Sequence, residues 1–78
     1  MEIRFDAARV VKDFGGMSRT ARRLTAFGHP ITANAVDKWR RQNRIPINHI
    51  CALAVIAASE KKRFDLLDYI EVVENDGR

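Results

Sequence analysis

Four polar residues in the middle of the chain, Asn34, Asp37, Lys38 and Arg41, have the types and spacing to hydrogen-bond a ligand from one side of a helix. At 3.6 residues per turn they fall within an arc of about 100°. Val36 and Trp39 fall on the opposite side. A helix of this kind anchors itself through its apolar side and holds out a row of donors and acceptors. Asparagine makes a bidentate contact to adenine, and arginine or lysine to guanine, in the major groove of DNA. Base edges are therefore one surface that the row fits. An amphipathic helix whose polar face meets only water has the same pattern, and the wheel alone does not separate the two.

Charge placement favours a polyanion. The 78 residues carry a net charge of +4. Residues 17–44 hold Arg19, Arg22, Arg23, Lys38, Arg40, Arg41 and Arg44 against Asp37 alone, whereas residues 64–78 are net acidic. A middle this basic beside an acidic tail points one side of the molecule towards a polyanion. Other chemistries find little support. His29 and His49 lack metal-ligand spacing to each other or to Cys51, the single cysteine, which is expected to be a small buried hydrophobe in an apolar helix. There is no paired-carboxylate, nucleophile–base or phosphate-loop pattern, and a chain this short offers little room for an enclosed pocket. No enzymatic activity, metal or cofactor is expected. No apolar run approaches the roughly 20 residues needed to span a bilayer, and a cytoplasmic location is the expectation.

The elements that must position the polar row are short. Asp6 is a helix cap, followed by Ala7, Ala8, Val11 and Phe14 at helical spacing, and Gly15-Gly16 stops that helix. Ser18 is the next expected cap, with Ala21, Leu24 and Phe27 as the apolar stripe, until Gly28-His29-Pro30 breaks the helix. Thr32 caps a third helix over 33–42, which Asn43 and Ile45-Pro46 end. A fourth, over 47–59, is apolar around most of its circumference and is expected to be the central core helix. Asp65, with Phe64 before it and Tyr69 after it at staple spacing, predicts a fifth helix over 65–74, ended by Asn75-Asp76-Gly77. No convincing strand is visible. The expected fold is all-α, one domain over 1–78, a compact bundle of about five short helices.

Ala21-x-x-Leu24, a turn, Thr32, then Val36-x-x-Trp39 resembles the helix-turn-helix of Cro-type small phage and prophage repressors, a lambda-repressor-like fold. Asp13-Phe14-Gly15 before the motif, Ile45-Pro46 after a basic stretch, and a following helix with Leu53-Ala54 extend the similarity over about residues 6–58. The interval from Leu24 to Val36 is longer than the family pattern, so either the second helix gains a turn or the connecting loop is extended.

The resemblance implies a transcriptional regulator that binds an operator in double-stranded DNA as a homodimer. Its base-reading places fall on Thr32, Ala33, Asn34, Asp37, Lys38 and Arg41. Asp37 would accept from a cytosine amine or hold Lys38 or Arg41 through a local ion pair. Ser18 and Arg19 match the backbone-gripping start of the first motif helix, and Arg22, Arg23, Arg40 and Arg44 are phosphate contacts or plain solubilising charges. Leu66, Leu67, Ile70 and Val73 form the apolar side of the expected last helix and are the candidate dimer interface. The alternative is a protein-interaction module of the same shape that binds a polymerase subunit or a toxin. RNA is disfavoured for want of exposed stacking aromatics.

Overall fold

The computed structural model describes residues 1–74. After a short strand, β1 (Glu2–Phe5), the Arg9 amide donates to the Asp6 carboxylate at 3.0 Å and starts α1 (Ala7–Asp13). Gly15 and Gly16 both take positive φ, 101° and 98°, which lets the Gly16 amide turn back to the Val11 carbonyl at 2.9 Å. The Gly16 carbonyl then accepts from the Thr20 amide at 2.9 Å, so α2 (Met17–Ala26) starts on Gly16 rather than on the expected cap Ser18. α3 (Ala33–Gln42) and α4 (Ile47–Ser59) occupy the spans their caps and apolar patterns predict.

The tail departs from expectation. Asp65 does cap, accepting from the Leu67 amide at 3.0 Å, and the Phe64 and Tyr69 rings meet with centroids 5.6 Å apart. Instead of a fifth α-helix, however, the chain makes a single 3-10 turn (Leu66–Tyr69) and a strand, β2 (Ile70–Val73), antiparallel to β1 with Phe5 opposite Ile70 and Ile3 opposite Val72. The fold is therefore mostly helical with a two-stranded sheet, and not all-α. Ile70-Glu71-Val72-Val73 is rich in β-branched side chains, which lose rotamer freedom in a helix and suit a pleated surface. Glu2-Ile3-Arg4-Phe5 supplies the partner strand, and the Asp6 amide joins the tail through the Tyr69 carbonyl at 2.8 Å. The expected stop at Asn75-Asp76-Gly77 lies outside the described residues.

Val10, Leu24, Val36 and Leu53 are fully buried, one from each α-helix, and Phe14, Trp39, Ile56 and Tyr69 close around them. Each such side chain contributes about 1.5–3 kcal/mol through burial. Polar ties fix the helices to one another. Asn43 ends α3 in the left-handed conformation (φ 53°), and its side-chain oxygen accepts from the Ala7 amide at 2.9 Å, joining the end of α3 to the start of α1. The Tyr69 hydroxyl donates to Asp13 at 2.7 Å, and burial together with that bond pushes the phenol up to about 12. α4 buries Ala52, Leu53, Ile56 and Ala57, but Ile47, Cys51 and Val55 are exposed, so Cys51 is not the buried hydrophobe expected. No helix among the described residues is long and apolar enough to cross a membrane.

Candidate nucleic-acid interface

The long connection between α2 and α3 is a stapled loop, and α2 itself runs to Ala26. Gly28 takes φ 93°, and the His29 amide reaches back to the Leu24 carbonyl at 2.8 Å. The Thr25 hydroxyl donates to the Ile31 carbonyl and accepts from the Ile31 amide, each at 3.2 Å. That pair of bonds returns the chain to α2 just before Thr32, whose hydroxyl accepts from the Ala35 amide at 3.2 Å and starts α3. The extra residues are absorbed without releasing α3 from the core.

α3 has the two faces its sequence predicts. Val36 and Trp39 are buried, Trp39 with 6% of its surface left, while Asn34, Lys38 and Arg41 are exposed. Beneath Trp39 lies His49, with ring centroids 5.1 Å apart, and His29 of the loop stands 6.1 Å from His49. The two histidines are thus structural neighbours that tie loop, α3 and α4 together. Burial, and then His29, hold the His49 pKa below its ordinary value, and its Nδ1 has no hydrogen-bond partner among the described residues.

Asp37 is the hub of the outer face. One carboxylate oxygen accepts from Arg40 Nη2 at 2.7 Å and Nε at 3.2 Å, and the other accepts from Arg41 Nε at 3.0 Å. The Arg40 hydrogen bond, followed by the charges of both arginines, holds the Asp37 carboxyl below the usual carboxylate range. Lys38, the other partner considered for Asp37, makes no ion pair among the described residues. Arg41 meets Asp37 through Nε, and its two terminal nitrogens make no hydrogen bond among the described residues, which leaves two donors for a bidentate acceptor. The sequence pointed to Arg41 as a partner of Asp37, but not to Arg40.

The remaining candidates divide. Ser18 and Arg22 line an open groove with Ile31 and Ala33, so one side of α2, from Ser18 to Ala26, shares a surface with the first turn of α3. Lys38 and Arg44 line another, beside Trp39 and Pro46. Arg40 lines a third with Lys12, a cation that the charge count passed over because residues 1–16 balance to zero. Arg19 is exposed in the first turn of α2, and a Cβ placed on Gly15 would collide with its side chain. Arg23 is turned inward instead. Its guanidinium pairs with Glu60, lies 5.4 Å from the centre of the Phe14 ring and leaves 19% of the side chain exposed. It ties α2 to α4 and is not available to a phosphate. Loss of the fifth helix also breaks up the dimer surface drawn from the sequence. Leu66 is half-buried, Leu67 is 72% exposed, and Ile70 and Val73, three apart on a strand, point to opposite faces of the sheet.

Comparison with protein-family models, curated proteins and solved structures finds no match. Function must be read from the geometry of this chain.

Proposed function

We propose that α2, the stapled loop and α3 work as a helix-turn-helix, and that the chain is a Cro-like transcriptional regulator binding double-stranded DNA in the bacterial cytoplasm. The observation that carries this reading is the division of α3. The helix is capped at both ends and locked by Val36 and Trp39, and it presents Asn34, Lys38 and Arg41 together from the most basic stretch of the chain. In the major groove Asn34 pairs with adenine, Lys38 and Arg41 with guanine, and the Ala33 methyl packs against a thymine methyl. Thr32 serves first as the cap of α3, and its hydroxyl hydrogen remains for a contact. Asp37 acts by aiming Arg41 rather than by reading cytosine. Ser18, Arg19, Arg22, Arg40 and Arg44, with Lys12 added, meet the sugar-phosphate backbone, which sets affinity and register.

One such helix reads only a few base pairs, so the proposal includes a homodimer on an inverted repeat with half-sites about 34 Å apart. Selection of bound sites from random duplexes tests the reading. The expected result is an inverted repeat bound at least about 1,000-fold more tightly than unrelated duplex at the same salt. Recovery of no sequence, with binding that follows charge alone, would overturn it.

A further inference from the structure

His49 Nδ1 is the one buried side-chain polar atom without a hydrogen-bond partner among the described residues. Its ring neighbours both parts of the proposed reading unit. The Trp39 indole of α3 lies 5.1 Å from it between centroids, and His29 of the loop meets it edge to face at 6.1 Å. Charged groups are scarce here. α4 carries no Asp, Glu, Lys or Arg, α3 contributes the neutral indole with Lys38 and Arg44 in the groove beside it, and the loop contributes His29 itself. Neither imidazole pairs with a carboxylate among the described residues. We infer that His29 and His49 form a proton-sensitive latch: with both rings neutral, loop 28–31 is closed on α4, and proton uptake opens it and loosens the first turn of α3.

An imidazolium carries a donor on each nitrogen. Charging His49 in the closed structure would leave a buried Nδ1–H with no acceptor, and a second charge on His29 would stand 6.1 Å away without a counter-ion. Opening returns His49 to water, where its ordinary pKa is about 6.5. The hold on the loop is light. It rests on the His29 amide bond to the Leu24 carbonyl at 2.8 Å, the two 3.2 Å bonds between Thr25 and Ile31 in exposed surroundings, and the partly buried Ile31 side chain. Gly28, at φ 93° with open space where a Cβ would stand, serves as the hinge. Between pH 7.5 and 5.5, one histidine that stays neutral only in the closed form shifts the balance up to about tenfold towards the open loop. The loop leads directly to Thr32, the cap of α3, so opening disturbs Thr32, Ala33 and Asn34. Added positive charge meanwhile strengthens attraction to any duplex. Acid therefore removes discrimination between sites rather than affinity. Only this last consequence rests on the proposed function.

Amide exchange read by NMR tests the latch without DNA. Protection of the His29 and Ile31 amides is expected to fall severalfold, at most about tenfold, from pH 7.5 to 5.5 while far-ultraviolet circular dichroism is unchanged. His49→Gln should abolish that fall. Trp39 is the single tryptophan, and a charged imidazole beside an indole quenches its fluorescence, so the proton on His49 can be followed directly. Its midpoint should lie below 6.5, rise in His29→Gln and be absent in His49→Gln. On the selected duplex and an unrelated one at constant ionic strength, the ratio of affinities should fall severalfold over the same range in the wild type and stay constant in His49→Gln. Loop protection that is constant with pH, that falls equally in His49→Gln, or that is lost only together with the helical signal would overturn the latch, as would a midpoint at or above 6.5. An open loop with an unchanged affinity ratio would overturn its coupling to site reading. Failure to select any sequence would instead count against the proposed function, and the exchange measurement would still decide the latch.

Discussion

Replacing Trp39 by alanine is expected to remove most of the stability of the domain. The indole is 6% exposed, lies against His49 in a tilted pair with centroids 5.1 Å apart, and belongs to the core that includes Val36, Leu24 and Leu53. Truncating an aromatic in such a place costs about 3–5 kcal/mol. A domain of this length holds about 4–12 kcal/mol in all. At about 4–8 °C per kcal/mol, the midpoint falls by at least about 12 °C, and a weakly stable wild type would leave the variant unfolded at room temperature. Trp39→Phe keeps a ring against His49 and is expected to lose less. Thermal melts followed by far-ultraviolet circular dichroism decide the matter. A Trp39→Ala midpoint within a few degrees of wild type would mean that the indole does not hold α3, and the assignment of its two faces would fail with it.

Asn43→Ala is expected to cost about 2–4 kcal/mol, because alanine is strained at φ 53° and the Ala7 amide loses its acceptor. Asn43→Gly removes only the second contribution, so chemical denaturation should place it between alanine and wild type. Asp37→Asn releases Arg40 and Arg41 and raises the charge of the outer face by one. Binding to unrelated duplex should strengthen, its salt slope should steepen by about 0.9 per chain, and discrimination between sites should fall in electrophoretic titrations. His49 has a folded pKa below 6.5, so the unfolded chain takes up this proton first as pH falls. Its contribution to stability is complete above about pH 6.5 and is lost as pH drops from there towards the folded pKa. Melting midpoints should fall less between pH 7.5 and 5.5 in His49→Gln than in the wild type.

The ends of α3 were legible because Thr32 and Asn43 are local signals, and α4 because its apolar run is bounded by Pro46 and a basic cluster. The tail was misread because a cap and an aromatic staple begin a 3-10 turn as well as an α-helix. The deciding partner, β1, lies more than sixty residues away in sequence. Periodicity showed that α4 is apolar but not which side the other helices cover, hence the misplacement of Cys51. Charge counting found the basic segment but could not see that Arg23 is bound by Glu60 and Phe14, since those contacts exist only after α1, α2 and α4 have packed. The polar face of α3 was legible in full, while the network that joins Asp37 to Arg40 and Arg41 was legible in part.

The central claim is that the outer face of α3 reads base edges, and binding by Arg41→Ala tests it most directly. Titration of the selected inverted repeat, beside a scrambled duplex at the same salt, should show the cognate site weakened by about 1–3 kcal/mol per half-site contact. The scrambled duplex should weaken less, by the loss of one charge alone and with a salt slope reduced by at most about 0.9, and the melting midpoint should be unchanged, because the side chain is 65% exposed. Arg19→Ala should weaken both duplexes alike and reduce the salt slope by about one unit. An Arg41→Ala protein that melts as wild type and binds its site as tightly as wild type would contradict the account.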